Sequence, residues 1–97
     1  MIYIDNLLKI KVKKVLIGKV EHYYVKAQVG LFVIENQDLN LGDKIVISGP
    51  TTGNEELILE KMFVNGSENT LAKKGDKVTF EVPFRVRKSD KLFKIIS

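Results

Sequence analysis

Short runs of alternating apolar and polar residues, separated by glycine-bearing turns, dominate the chain. In the clearest run, Val78, Phe80 and Val82 alternate with polar residues, and Pro83 ends the alternation. A period of two residues is typical of a strand that buries one face. Similar runs recur at short intervals, and no segment shows convincing helical periodicity. The pattern therefore predicts an all-β protein of about six or seven short strands.

Three local features refine this prediction. The alternation changes phase near Lys13-Lys14, which predicts a bulge or a kink at that point. The run 55–64 is apolar on both sides, as expected of a strand that is covered on both faces or crosses a barrel corner. Asn65-Gly66 is the strongest tight-turn dipeptide in the chain.

The length of 97 residues fits one domain, 1–97, since a second core would not fit into so short a chain. We expect the sheet to close into a small antiparallel barrel, because closure removes the exposed edges that a sheet of this size otherwise presents. Residues 1–8 precede the first clear strand, and we expect them to form a flexible arm or an additional edge strand.

Composition excludes several classes of protein. Hydrophobic residues make up 44% of the chain and charged residues 29%, which is ordinary for a folded soluble domain. There is no cysteine, so disulfides, thiolate metal sites and cysteine nucleophiles are excluded. The start of the chain lacks a basic leader, and no apolar run reaches the roughly 18 residues of a membrane helix. We therefore expect a cytoplasmic protein with no membrane partner.

Charge is unevenly distributed along the chain, which carries a formal net charge of +4. Residues 1–20 hold five lysines and one acid, residues 21–70 three bases and eight acids, and residues 71–97 eight bases and three acids. If the first strand and the last, 91–96, lie side by side, the two basic ends combine into one face. Such a face attracts phosphate backbones, although a lysine-rich solvated surface has the same composition.

A Gly-Asp pair precedes two of the predicted strands. The pairs are Gly42-Asp43 and Gly75-Asp76, and at Asp90 a serine replaces the glycine. Glycine adopts the positive φ of a tight reversal, and the aspartate carboxylate bonds to backbone N–H groups that follow it. These residues are therefore predicted to be structural turn residues and not catalytic groups.

The order of these features resembles domain two of elongation factor Tu and its relatives, the translation-protein β-barrel. It more closely resembles the C-terminal barrel of the collagenase-like U32 peptidases. The resemblance covers roughly residues 16–96 and rests on the segments 18–21, 39–49, 49–52, 60–62, 72–78 and 86–94. It implies a closed antiparallel Greek-key barrel of six to seven strands. Because the chain has no counterpart of a GTP-binding loop or of the peptidase part, the resemblance implies a binding or scaffolding role.

The residue types give little support to catalysis. His22 is the only histidine, and a lone histidine without cysteine cannot build a histidine-rich metal site. No Gly-x-Ser-x-Gly nucleophile motif is present. We therefore predict no catalytic residue, no metal and no cofactor, and a protein that is not an enzyme.

Two aromatic residues are candidates for binding. Tyr23 and Tyr24 follow His22 and stand between Lys19 and Lys26 in the sequence. Aromatic rings beside bases stack on the nucleobases of single strands. Packing at the mouth of a barrel explains the same residues, and both interpretations stay open.

Basic residues near the C terminus are the candidates for contact with phosphate. Arg85 and Arg87 are two positions apart, so an extended backbone directs both guanidinium groups to the same side. We group them with Lys88, Lys73 and Lys74 as one patch. The alternative is a solvated rim with local salt bridges.

Together these observations predict a binding module that contacts RNA or a ribosome-associated partner through a basic face of the terminal strands. The alternative is a stand-alone accessory barrel that docks on a separately encoded peptidase-like enzyme or another protein partner.

Overall fold

The computed structural model describes residues 13–96, which form ten strands and no helix. In chain order the strands are β1 (Lys13–Tyr24), β2 (Val29–Ile34), β3 (Leu39–Asn40), β4 (Lys44–Gly49), β5 (Gly53–Ile58), β6 (Phe63–Val64), β7 (Ser67–Glu68), β8 (Leu71–Ala72), β9 (Lys77–Glu81) and β10 (Lys91–Ile96). The predicted arm, residues 1–8, and the lysines at positions 9 and 11 lie outside the described residues.

All strand pairings in this part of the chain are antiparallel. Eight strands form one sheet in the order β5-β4-β10-β1-β2-β9-β6-β7, and β3 pairs with β8 in a second sheet. The prediction of an all-β antiparallel fold is confirmed. Within residues 13–96 the backbone ladders give a linear order of strands.

The strands are shorter and more numerous than predicted, and the run 55–64 shows why. β5 ends at Ile58, and only two residues of the run, in β6, return to the sheet. The N–H of Leu59 still donates to the carbonyl of Asp43 at 2.9 Å, in register with β4, and the carbonyl of Leu59 accepts from the N–H of Gly42 at 2.8 Å, one residue out of register. Leu59 and Met62 are then fully buried. The two apolar sides of this run therefore reflect a connection whose side chains fill the core.

β1 and β10 are neighbours, so the two ends of the described chain lie side by side, as the charge argument required. Their pairing runs regularly through Lys13 and Lys14, so the bulge predicted there is wrong in position. The register shifts instead between Leu16 and Gly18, and β1 shifts again against β2 after Val20. Two bulges in one strand of 12 residues increase its twist and let it serve two different partners.

One cluster of buried side chains forms the core of the described residues. Two of its members, Phe32 and Phe80, stack with ring centroids 4.3 Å apart. In β9 the burial alternates as predicted, since Val78 and Phe80 are buried between more exposed neighbours. The remaining members are Ile17, Val20, Ile34, Leu39, Ile45, Ile47, Leu59, Met62, Val64, Ala72, Val82, Val86 and Leu92. Because nearly every strand contributes side chains to this one cluster, the sheet must curve around its apolar face.

Tight turns use the residues that the sequence marks. Asn65 and Gly66 have φ angles of 50° and 91° and connect β6 to β7 as a two-residue hairpin loop. The tight turn predicted from this dipeptide is confirmed, and it joins the two strands of a hairpin.

Three further turns share one geometry. The carboxylates of Asp43, Asp76 and Asp90 each accept a hydrogen bond from the backbone N–H three residues earlier, at 2.8, 2.8 and 2.9 Å. The N–H of each aspartate donates to the carbonyl of that same earlier residue. The bonds therefore run to preceding residues, and the predicted direction, to following residues, was wrong. The aspartate closes the turn behind it and so fixes where the next strand begins.

The residue before each aspartate has a left-handed backbone. Gly42 and Gly75 have φ angles of 91° and 93°, and Ser89 has 76°. A positive φ at the third residue is the signature of a type II turn, and glycine adopts it without steric cost. The serine at position 89 therefore holds a conformation that a side chain disfavours.

Among residues 13–96, no helix combines the length and the apolar character that crossing a membrane requires.

Candidate functional site

A cleft of about 240 Å³ lies between the end of β1 and the segment that joins β9 to β10. Its lining residues are His22, Tyr23, Val25, Arg85, Val86, Arg87 and Lys88. Three bases therefore meet in one cleft, and no acidic residue of the described chain lines it. We call this feature the basic cleft.

Hydrogen bonds to β1 fix the segment that carries the bases. The hydroxyl of Tyr23 donates to the carbonyl of Val82 at 2.8 Å. At the far end, the N–H of Ser89 donates to the carbonyl of Val20 at 2.9 Å, and the N–H of Val20 donates to the carbonyl of Asp90 at 2.8 Å. The segment is thus held at both ends, which limits the conformations open to the bases between them.

Arg85 and Arg87 stand on either side of Val86, which is buried in the core with 1% exposure. Both arginines are exposed. The Asp90 carboxylate accepts from the backbone N–H of Arg87. Glu81 lines a different groove of the molecule. The alternative interpretation was a solvated rim in which the arginines form local salt bridges. The ion pairs among the described residues include neither Arg85 nor Arg87.

The two candidate tyrosines differ in role. Tyr23 is half-buried, packs against the core and uses its hydroxyl to hold Val82. Tyr24 is 46% exposed, and its ring meets that of His22 edge-on with centroids 4.5 Å apart. The packing interpretation therefore describes Tyr23, and Tyr24 lies beside the basic cleft without lining it.

Lys73 and Lys74 do not join the arginines. They precede β9, whereas Arg85 and Arg87 follow it. The five residues of β9 span about 14 Å. The structure therefore divides the predicted patch into two groups at opposite ends of this strand.

The wider basic face of the terminal strands is partly neutralised. Lys19 on β1 pairs with Glu35 at 3.7 Å. Lys94 on β10 pairs with Asp43 at 3.1 Å, and its ammonium also donates to a backbone carbonyl at position 38. The side chain of Lys94 is only 16% exposed. Acids from the middle of the chain therefore reduce the positive charge of this face, which sequence reasoning about the two ends alone did not foresee.

A larger groove, of about 570 Å³, lies between the residues that follow β5 and the end of β9. It is lined by Leu57, Ile58, Leu59, Glu60, Lys61, Phe80, Glu81 and Pro83. Sequence reasoning missed it because its two walls are about 20 residues apart in the chain and neither carries a motif. The only signal was the apolar character of both sides of the run 55–64.

Chemical groups for catalysis or metal binding are sparse in the described chain. Within residues 13–96, no three histidine, cysteine, aspartate or glutamate side chains come close enough to hold a metal ion. The carboxylate of Asp90 is buried and engaged in hydrogen bonds that close the turn. The arrangement is thus suited to binding an anion at the basic cleft.

Solved structures define the class of fold. The C-terminal domain of a Geobacillus thermoleovorans protein assigned to the U32 peptidases superposes with a TM-score of 0.76 and 22% identity, over 81% of this chain and 90% of that one. Its selenomethionine variant gives a TM-score of 0.73, over 79% of this chain and 95% of that one. The chain therefore has the fold of a U32 peptidase C-terminal domain, as the closer of the two resemblances implied.

Sequence relatives point the same way. An uncharacterized protease of Methanocaldococcus jannaschii is 35% identical over 83 residues, which are 86% of this chain and 20% of the relative. A collagenase of Porphyromonas gingivalis is 37% identical over 82 residues, which are 84% of this chain and 20% of the collagenase. The chain thus spans about a fifth of the length of the curated relatives it matches. No protein-family model matches it.

These comparisons favour one of the two predicted functions over the other. They favour the accessory-domain alternative, because every relative and structure named above is a protease or a peptidase domain. None of them supports RNA binding or the likeness to elongation factor Tu.

Proposed function

We propose that this protein is a non-catalytic accessory domain that docks on a peptidase-like enzyme of the U32 type through protein contacts. The observation that carries the proposal is the pairing of two matches. The chain matches one fifth of two protease sequences over most of its own length, and its fold is that of a domain placed at the C terminus of a U32 peptidase. The catalytic centre of such a protease then belongs to the remaining four fifths.

The chemistry of the described residues agrees with a role in binding. His22 lines the basic cleft, and its ring meets that of Tyr24 edge-on. Asp90, the one buried polar residue of the described chain, is held by Thr52 and by the backbone of Arg87. A general acid or base needs a free titratable group in a pocket beside a substrate. Asp90 serves turn closure instead, and no carboxylate of the described chain lines the basic cleft beside His22.

The proposal includes the closed Greek-key barrel of the elongation factor Tu type as its architecture. The support is the larger groove, whose walls come from β5 and the residues after it on one side and from β9 on the other. β5 is one end of the linear strand order, and β9 lies close to the other end. The groove therefore places β5, one edge of the sheet, opposite the end of β9, the last long strand before the other edge.

A chimera tests the accessory role. We replace the matched fifth of the Porphyromonas gingivalis collagenase with this chain and measure collagen cleavage. We expect the chimera to retain at least a tenth of the parental rate, and a chimera that carries an unrelated β-domain of equal size to retain far less. Equal rates for the two chimeras, with both folded by thermal unfolding, would contradict the proposal.

RNA binding is tested on the same protein by filter binding with tRNA and ribosomal RNA across a range of salt concentrations. An accessory protein-binding domain retains little RNA at physiological ionic strength. Tight retention with an affinity that falls steeply as salt increases would favour the RNA-binding module, since release of counterions gives that dependence.

A further inference from the structure

We infer that the basic cleft binds a short acidic segment of a partner protein, in which neighbouring aspartate or glutamate side chains meet Arg85 and Arg87. The inference rests on the proposed accessory function and adds the chemistry of the partner. It uses the cleft between β1 and the β9–β10 segment and not the wider basic face.

The first argument is that these bases have no anionic partner within the described chain. The ion pairs among residues 13–96 use other bases, namely Lys19, Lys44, Lys77 and Lys94. Three exposed cations close together in the sequence are not used in these ion pairs, namely Arg85, Arg87 and Lys88. Their mutual repulsion is relieved when an anion binds between them.

The second argument is geometric. Val86 anchors the middle of the segment in the core, and Tyr23 and Ser89 tie its two ends to β1. The guanidinium groups therefore project from a fixed backbone. Arginine presents a planar fork that matches a carboxylate with two parallel hydrogen bonds, which a lysine cannot do.

The third argument favours a protein over a nucleic acid. Val25, which lines the cleft, and Tyr24, which lies beside it, are 55% and 46% exposed and provide apolar area for side chains of a partner. Tyrosine and arginine are enriched at protein interfaces. A nucleic acid strand needs a row of basic side chains along the path of its phosphates. Here the bases further along β1 and β9 are paired with Glu35 and Glu21, whose charges would repel the next phosphates.

The test is an NMR titration of the isotopically labelled chain with N-acetylated hexaglutamate. N-acetylated hexaglutamine is the uncharged peptide control, and hexauridylate is an RNA probe of matched length. We expect hexaglutamate to shift the backbone amides of residues 22–25 and 84–88. We expect hexaglutamine to leave these amides unchanged and hexauridylate to bind more weakly than hexaglutamate.

Matched variants assign the binding to the cleft. Arg85→Glu with Arg87→Glu should weaken hexaglutamate binding at least tenfold. Lys73→Glu with Lys74→Glu makes the same change of net charge at the other end of β9 and should weaken it less than threefold. Arg85→Lys with Arg87→Lys keeps the charge but removes the fork, and an intermediate loss is expected. Thermal unfolding of each variant shows that it is folded.

Three results would overturn the inference: amide shifts that map away from the cleft, an equal loss in the two charge-reversed variants, or tighter binding of hexauridylate than of hexaglutamate. The last would assign the cleft to nucleic acid.

The collagenase chimera separates this inference from the proposed function. An active chimera that is unaffected by Arg85→Glu with Arg87→Glu keeps the accessory role and removes the cleft as its docking site. If the chimera is inactive but hexaglutamate still binds at the cleft, the accessory role is contradicted and the inference about the cleft is retained.

Discussion

The hydroxyl of Thr52 donates a hydrogen bond to the carboxylate of Asp90, which lies 38 residues further along the chain. Asp90 is only 4% exposed, and its carboxylate also closes the turn that begins at Arg87. Gly49 packs against the same carboxylate so closely that a Cβ at that position would overlap it. The turn after β4 and the turn before β10 are therefore locked together by one buried carboxylate.

The lock between these turns predicts the effect of Thr52→Val. Valine has nearly the shape of threonine but cannot donate, so the buried carboxylate loses a partner. The expected loss is about 1–3 kcal/mol of unfolding free energy, the usual cost when a buried polar group is left unsatisfied. Urea denaturation measures it. Thr51→Val is the matched control, because Thr51 is exposed, and it should change the free energy by less than about 0.5 kcal/mol. Equal losses for both variants would contradict the lock.

The turn that contains Ser89 predicts a stabilising substitution. Ser89 has a φ of 76° at the position that Gly42 and Gly75 occupy in the two equivalent turns. Ser89→Gly removes the steric conflict of the side chain, and we expect a gain of about 0.5–1 kcal/mol after the extra entropy of the unfolded chain is subtracted. The midpoint of thermal unfolding should rise. Ser67→Gly, in exposed strand β7, should lower it.

These turns also show what the sequence can and cannot reveal. The pairs Gly42-Asp43 and Gly75-Asp76 are readable because the whole turn lies within four residues. The last strand was predicted with the bounds of β10, since its pattern is local as well. The lock between Thr52 and Asp90 depends on strand pairing over 38 residues and has no local signal.

The candidate site was only partly predictable for the same reason. Arg85 and Arg87 could be grouped because they are close in sequence. Lys73 and Lys74 were added on charge alone, and the length of β9 separates them from the arginines. Tyr23 lines the same cleft through the pairing of β1 with its neighbours, which alternation does not specify. Side-chain chemistry is thus readable from the sequence, but its assembly into a site requires the sheet order.

The turn at Asp76 predicts a pH dependence of stability. The hydrogen bond from the backbone N–H of Lys73, followed by that from the side chain of Asn65, lowers the pKa of Asp76 from its ordinary value of 3.8. Because the folded state has the lower pKa, the stabilisation is fully present above the unfolded pKa. It is lost as pH falls through the folded pKa, in the region below about pH 4.

Urea denaturation between pH 2 and pH 6 measures this contribution. In Asp76→Asn the decline in stability toward low pH should be smaller than in the parent protein. In Lys73→Gln the backbone donor remains, so most of the decline should persist, because the charge of Lys73 is the weakest of the causes. A decline of the same size in the parent and in Asp76→Asn would show that this turn makes no contribution.

The last prediction separates the contribution of the Tyr23 ring from that of its hydroxyl. Tyr23→Phe keeps the ring but removes the hydroxyl that donates to the carbonyl of Val82 at 2.8 Å. We expect a loss of about 1 kcal/mol of unfolding free energy, as for one partly buried hydrogen bond. Hydrogen exchange should also become faster at the hydrogen-bonded amides of Arg87 and Ser89, because the segment then loses one of its ties to β1. Tyr24→Phe is the control and should leave both measurements unchanged, since Tyr24 is 46% exposed. If Tyr23→Phe also leaves them unchanged, the ring alone positions the segment and the hydroxyl bond does not rigidify the basic cleft.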